Sequence, residues 1–329
     1  MSQPEKSRTS VLAGSTVMVT GGCGFIGSHL VRRLLAEGVR RVIALDSLRY
    51  GSEQNLAGMA GSERVTLVRF TLGSDEPAQL DRHLAGVDHL FHLAAEKHNQ
   101  SKHDPDAVLR ANVLGTNHLF ASAVRGGVKK TVFTSSLYSY GRIQGPPSSE
   151  TDLPLPTTVY GISKLCGERL LAHHAASGGM RGDTLRYFFV FGPKQFAGTG
   201  YKSVIVKNFE RIRAGQPPVI FGDGTQRLDY VFVDDVVDAT LQCMESPEGG
   251  RLLNVGSGVG TSIDELTAAM LKVAGSSLRP VHEPPDWTAG SSRVASIAAI
   301  RAALGWTPRV TLAEALRTTW RWINGEAIP

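Results

Sequence analysis

Residues 16–30 read TVMVTGGCGFIGSHL, and the order of residue types in this stretch decides the fold. Thr16–Thr20 is a short β-branched run, the composition of a strand. Gly21, Gly24 and Gly27 follow at three-residue spacing, and apolar residues at helical spacing run over Ser28–Glu37. A strand, a glycine turn and a helix in immediate succession leave backbone N–H groups open at the helix N-terminus. Glycines let that backbone come close to a bound pyrophosphate, whose charge the helix dipole favours. Such a spacing alone is a weak signal; the strand–turn–helix context gives it weight. Phe25 and Ile26, between the last two glycines, belong to the same loop.

The alternation continues downstream. Arg41–Leu45, Val65–Val68, His89–Leu93 and Thr131–Thr134 read as strands, while Ala78–Leu84 and Ala107–Val124 carry helical spacing. Alternating strands and helices imply parallel strands joined by right-handed crossovers, hence an α/β fold on a doubly wound parallel sheet. Asp46 ends the second strand. A carboxylate there accepts hydrogen bonds from adenosine ribose hydroxyls and repels a 2′-phosphate, so the expected dinucleotide is NAD and not NADP.

Loop chemistry at 145–149 (GPPSS) and 152–156 (DLPLP) leads to a helix over Val159–Ala176, and Thr184–Phe188 reads as a further strand. Beyond it Pro193, Pro217, Pro218 and many glycines predict a more irregular second lobe. Ser262-x-x-Glu265 and Thr311-x-x-Glu314 have capping-box form. The second opens a helix that sets Leu312, Leu316, Trp320 and Ile323 on one core-facing stripe and ends at Gly325.

Tyr160 and Lys164 stand four apart, on one face of the helix over Val159–Ala176. A phenol with a pKa of about 10 is a poor base at neutral pH. A neighbouring ammonium and a nicotinamide cation favour the phenolate and make it usable for proton transfer. Alone, the pair reads as an ordinary exposed helix pair. Thr134-Ser135-Ser136 changes that, because it closes a strand whose end faces the ligand crevice. Ser136 can then hydrogen-bond the same substrate oxygen as Tyr160.

The chain has 329 residues, 42% hydrophobic and 20% charged, the balance of a folded globular protein. Its first 15 residues are polar and lack a signal-peptide core, and no stretch approaches the roughly 20 apolar residues of a membrane span. Cys23, Cys166 and Cys243 lie far apart, which reads as free thiols in a reducing, cytoplasmic setting with no disulfide framework. The net charge of +5 is scattered, so neither a nucleic-acid nor a membrane partner is expected. His89 and His92 point to opposite strand faces, His173 and His174 diverge, and no metal is expected.

TGGCGFIGSHL, HLAAEK, NVLGT, FTSS, YGISK, LRYFFVFGP and DYVFVDDV together resemble the successive signatures of extended short-chain dehydrogenases/reductases, and within them the NAD-dependent nucleotide-sugar epimerase/dehydratase family. The resemblance spans about Thr16 to Asn324. It implies a Rossmann NAD-binding lobe over 11–190, rejoined by 226–247. A smaller mixed α/β lobe for the nucleotide sugar is implied over 191–329, mainly 191–225 and 248–329. By resemblance Tyr160 is the acid/base, Lys164 binds the nicotinamide ribose and tunes Tyr160, and Ser136 holds the reacting hydroxyl. Lys97 matches a cofactor-contacting lysine, and Asn112 matches the asparagine of the family's NVxGT helix. Relatives pair as homodimers through two helices, here 107–124 and 159–176.

The family begins by moving a hydride from a sugar carbon, usually C4, to NAD. Its dehydratases carry Asp-Glu after the strand-end serine or threonine, where this chain has Leu137 and Tyr138. The resemblance therefore implies epimerisation at C4, with a dehydratase, decarboxylase or reductase as the alternative and a non-catalytic NAD-binding protein behind both. Tyr138 reads as either substrate-facing or packed, with packing slightly favoured. Phe189 replaces the family's usual asparagine, Thr71 stands where an acid often meets the adenine, and the usual Gln-x-Arg-Asp becomes Gln226-Arg227-Leu228-Asp229. A one-residue shift in a strand flips a side chain to the other face. That flip weighs against Arg227, which stays one candidate for the substrate's anion, with Arg293 a second, its alternative being a surface ion pair. These departures imply an unusual sugar or nucleotide.

Overall fold

In the computed structural model, which describes residues 10–59, 63–141, 143, 145–195, 202–288 and 290–326, the opening strand β1 (Thr16–Thr20) is buried at every position. Strands covered on both faces lose the in–out alternation of a half-exposed sheet. The same holds along β4 and β5 below. Residues 1–9, most of the polar leading stretch, and residues 327–329 at the end of the second lobe lie outside the described residues.

From β1 the chain runs through α1 (Phe25–Ala36), β2 (Arg41–Asp46), β3 (Val65–Arg69) and α2 (Gln79–Leu84). It continues as β4 (His89–His92), α3 (Pro105–Leu109), α4 (Thr116–Arg125), β5 (Lys130–Ser136), α5 (Val159–Gly178) and β6 (Arg181–Tyr187). The second half holds β7 (Phe189–Phe191), α6 (Val204–Arg213), β8 (Val219–Phe221), β9 (Arg227–Phe232) and α7 (Val233–Glu245). Then come β10 (Leu252–Val255), β11 (Gly260–Ser262), α8 (Ile263–Ala274), β12 (Val281–Glu283) and β13 (Ser292–Arg293). The last helices are α9 (Ala298–Leu304) and α10 (Leu312–Ile323). Both expected capping boxes are present, at Ser262/Glu265 and Thr311/Glu314.

The main sheet has the order β10-β6-β5-β4-β1-β2-β3, with every pairing parallel. Strand order reverses direction between β1 and β4, and at such a point the carboxyl ends of the strands open a crevice. Gly21, Asp46 and Ser136 all stand at or just beyond those ends. A smaller sheet, β11-β9-β13 with β7 on β9, builds the second lobe together with β8, β12, α6, α8 and α10.

The lobe boundaries differ from expectation. β9 stays in the small sheet, and it is α7 and β10 that return to the main one. β10 was expected in the second lobe, yet it forms the edge strand beside β6. A parallel edge strand needs a crossover helix, and α7 provides it, packing on α1 through Arg33–Asp238 at 2.8 Å. Leu253 and Val255 are buried there in the core of the first lobe.

The expected single helix over 107–124 is α3 and α4 joined by a wider π turn at Arg110–Gly115. The turn at Gly73 presses against it so closely that a Cβ on Gly73 would lie 2.1 Å from the Arg110 carbonyl oxygen. Such turns often mark functional positions, and this one carries Asn112.

α5 is fixed to the sheet by a buried polar cluster. Arg186 on β6 donates two bonds to Glu168 on α5, at 2.9 and 2.7 Å, and Ser135 donates to the same carboxylate at 2.5 Å. The Arg186 guanidinium also lies 4.4 Å from the Tyr140 ring centroid. Breaking a buried, bidentate pair leaves an uncompensated charge. Glu168→Leu is therefore expected to lower unfolding stability by about 3–5 kcal/mol, read by urea titration, and a loss below about 1 kcal/mol would contradict this anchoring role.

Candidate active site

A cavity of about 400 Å³ opens at the carboxyl ends of β1, β2 and β4, floored by Gly21, Gly24, Phe25, Ile26 and Gly27. Gly21 has φ +72°, and a Cβ on Gly27 would sit 2.1 Å from the Gly21 carbonyl oxygen. The turn closes only without side chains at these positions, which leaves the N-terminus of α1 bare toward the cavity. Asp46 lines the same cavity, its two oxygens accepting the Cys23 and Leu48 N–H groups at 2.9 and 2.8 Å. Burial raises its pKa. Each carboxylate oxygen keeps a further lone pair for a ligand hydroxyl.

Lys97 lines the opposite wall, with its ammonium 4.3 Å from the Tyr50 ring centroid. Tyr50 donates to Glu96 at 2.8 Å. Asn112 holds this segment by pairing with both the N–H and the carbonyl of Glu96, and it reaches Ser163 on α5 at 3.1 Å. Thr71 is also on the wall, its N–H donated to Asp75 at 2.7 Å. Tyr50 and Lys194, which also line this cavity, carry no motif that sequence reasoning detects.

Tyr160 sits in the first turn of α5, whose start is capped by Thr158 accepting from Gly161 at 3.0 Å. Its side chain is hydrogen-bonded to Ser136, the last residue of β5. Burial pushes the phenol up to about 12, and the Ser136 bond works in the opposite direction by favouring the phenolate. One turn on, Lys164 is buried with its ammonium 4.8 Å from the Phe133 ring centroid. Desolvation brings its pKa down to about 7, opposed by the charge of Glu168. Ser136 and Tyr160 thus meet where the end of β5 faces the start of α5, and Lys164 follows one helical turn on in α5.

A second cavity, of about 770 Å³, runs into the smaller lobe and shares Gln195 and Ser203 with the first. Ser136 lines this one and Tyr160 the other, so their hydrogen bond marks the junction. The walls are largely apolar, with Phe188, Phe189 and Leu228 among them. Arg227 does not reach the cavity. Its guanidinium is turned outward, donating to the Gly260 carbonyl at 2.8 Å and to Glu265 at 3.0 Å. Leu228 takes the inward position, as strand alternation requires.

Arg293 is on β13, its guanidinium 5.2 Å from the Trp287 ring centroid. Tyr138, for which packing was slightly favoured over facing the substrate, lines the cavity. It meets Tyr160 at 5.6 Å, Trp287 at 5.5 Å and the stacked ring of His98 at 4.2 Å between centroids. His98 is held neutral, its pKa brought down to about 4 by burial and then by Lys102 and Arg293. His98 and Trp287 escape sequence reasoning because the cluster joins distant segments of chain. Among the described residues no group of three or more His, Cys, Asp or Glu side chains is placed to hold a metal ion.

Residues 17–256 match the model of the NAD dependent epimerase/dehydratase family. A UDP-glucose 4-epimerase of Mycolicibacterium smegmatis is 37% identical over 313 residues, covering 92% of this chain and 96% of that protein. A dTDP-glucose 4,6-dehydratase of Streptomyces griseus is 33% identical over 314 residues, with 94% of each covered. Among solved structures, the UDP-glucose 4-epimerase of Thermotoga maritima with UDP-glucose superposes with a TM-score of 0.87 at 32% identity, over 94% of this chain and 99% of that one.

Two measurements test this site. Gly27→Ala forces a methyl group into the Gly21 carbonyl. Overpacking strain of about 1–3 kcal/mol predicts NAD binding weaker by roughly 5- to 150-fold in a fluorescence titration. Unchanged affinity would remove the loop from the cofactor site. Lys164 concerns the cofactor-free protein. Its folded pKa of about 7 lies below the ordinary lysine value of 10.5, so the folded state binds fewer protons and this group's contribution to stability rises with pH between those values. The melting temperature of Lys164→Met relative to wild type is expected to be most favourable below pH 7, with the difference falling as pH rises toward 10. A difference that does not vary with pH would contradict a desolvated lysine.

Proposed function

Because the chain belongs to the NAD-dependent epimerase/dehydratase family of extended short-chain dehydrogenases/reductases, with NAD as its cofactor, we propose that it interconverts a nucleotide sugar and its C4 epimer. The observation that carries this reading is the hydrogen-bonded Ser136–Tyr160 pair above buried Lys164, at the junction of two cavities. The turn after β5 offers Leu137 and Tyr138, neither of which is a carboxylic acid for removing water from a sugar.

Gly21, Gly24 and Gly27, with Asp46 and Lys97, would hold NAD in the first cavity. When bound, NAD supplies the hydride acceptor and donor at the sugar carbon. Tyr160 takes the proton of the C4 hydroxyl and returns it later, while Ser136 fixes the orientation of that hydroxyl. The charge of Lys164, one turn below, favours the phenolate. Apolar walls at Phe188, Phe189 and Leu228 make few directional bonds, so a 4-keto sugar can present either face before the hydride returns. Arg293 is the proposed contact to the substrate's anionic part; Arg227, paired with Glu265, is not. The likeness to a 4,6-dehydratase supports a second reading, whose signature is loss of water.

A homodimer is proposed through the α3–α4 segment and α5, on the strength of exposed Leu109 at the end of α3, Leu114 in the π turn before α4 and Ile162 on α5. The spread of the cysteines supports a cytoplasmic setting, and among the described residues no helix is long and apolar enough to cross a membrane. Tyr160→Phe is expected to lower kcat roughly 100- to 10,000-fold on a nucleotide sugar, with bound NAD unchanged. Retention of near-normal turnover would sink the proposed mechanism.

A further inference from the structure

We propose that Tyr138 is a positioning residue for Tyr160: its ring, braced by His98 and, from the second lobe, by Trp287, fixes the plane of the phenol at Ser136. The inference rests on the reading of Tyr160 as the acid/base given above.

The local chain sets the two tyrosines against each other. Tyr138 is in the 3₁₀ turn Leu137–Ser139 that follows β5, and its N–H is donated to the Ser136 hydroxyl at 3.3 Å. Leu137 and Ser139, on either side of it, are buried and hold the turn to the core. The carbonyl of Tyr138 closes on the start of α5, where a Cβ on Gly161 would lie 2.4 Å from its oxygen. Gly161 directly follows Tyr160, so the absence of a side chain there lets the helix come close enough for the two rings to meet. Their centroids are 5.6 Å apart and their planes 84° apart.

Tyr160 is half-buried at the wall of the smaller cavity. Its hydrogen bond to Ser136 holds the phenol oxygen, but the ring torsion of a tyrosine is broad and needs packing to define it. Two rings pack on it nearly at right angles, Tyr138 and also His98, at 6.0 Å and 76°. These separations fall in the attractive range for edge-to-face aromatic pairs. His98 and Tyr138 are in turn stacked on each other at 4.2 Å and 24°, so neither rotates without the other. Trp287, from the segment between β12 and β13, meets both, at 5.5 Å from Tyr138 and 5.7 Å from His98. The bracket therefore ties Tyr160 to the second lobe as well as to the first. His98 is neutral, so it acts on the phenol through shape and adds no charge beside it. Proton transfer is sensitive to such placement, because a shift of about 1 Å can cost about 100-fold in rate.

The test compares wild type with Tyr138→Phe, Tyr138→Leu and Tyr160→Phe. Turnover of the NAD-loaded enzyme is followed on UDP-glucose, UDP-N-acetylglucosamine and UDP-glucuronate. Tyr138→Phe keeps the ring and is expected to hold kcat within about 3-fold of wild type. Tyr138→Leu removes the ring and is expected to lower kcat roughly 10- to 100-fold, with KM nearly unchanged. Adding Trp287→Leu to Tyr138→Leu is expected to cost little more, since residues in contact do not act additively. A readout free of turnover is fluorine NMR of protein carrying fluorotyrosine at its seven tyrosines, the Tyr160 signal being the one lost in Tyr160→Phe. That signal is expected to match wild type in Tyr138→Phe, and to move or broaden in Tyr138→Leu. An unchanged Tyr160 signal in Tyr138→Leu overturns the inference. So does a loss confined to KM, which would make Tyr138 a substrate contact, or an equal loss in Tyr138→Phe, which would assign the effect to its hydroxyl. Near-normal turnover in Tyr160→Phe overturns instead the acid/base reading beneath it.

Discussion

An amine buried one helical turn on from a half-buried phenol at the cavity wall is the constraint around which the rest of this molecule is arranged. Lys164 is buried and Tyr160 half-buried, and desolvation pushes each toward its neutral form, the phenol up to about 12 and the amine down to about 7. Neither shift helps by itself. Together they place a proton donor and a compact, tunable charge within one turn of helix, where a small electrostatic change moves the balance between phenol and phenolate.

Such an arrangement demands a helix that cannot shift. α5 is capped by Thr158 at its start and joined to β6 by the Glu168–Arg186 pair, which also engages Ser135 at the end of β5. Ser136, the next residue, is the one bonded to Tyr160. The strand end and the helix are thus set by a single buried network. Asn112 adds a tie from the π turn to Ser163, on the same helix, and to the Glu96 segment that lines the glycine-floored cavity. The Ser136–Tyr160 corner and the glycine-floored cavity therefore depend on common supports.

Much of this was legible in the sequence because its physics is local. Gly21, Gly24 and Gly27 announce themselves by steric necessity, Asp46 by its place at a strand end, and Tyr160 and Lys164 by helical spacing. The capping boxes at Ser262 and Thr311 are equally local. The inward turn of Leu228 and outward turn of Arg227 followed from strand alternation alone. What depends on distant pairing was not legible. β10 joins the main sheet because its apolar residues fit beside β6, which no nearby motif declares. The cluster of His98, Tyr138 and Trp287 draws on three segments, so packing was favoured for Tyr138 although it faces the larger cavity. The pairing of Arg293 with Leu228 has the same character.

The central claim is that the site removes a hydride from C4 of the sugar and returns it to that same carbon. It is tested most directly with a nucleotide sugar carrying deuterium at C4, drawn from UDP-glucose, UDP-N-acetylglucosamine and UDP-glucuronate, followed by NMR and mass spectrometry. The account predicts a C4 epimer that keeps its deuterium at C4, with no net NADH and no exchange with water. Deuterium displaced from C4, in a product that has lost water or carbon dioxide, would contradict it.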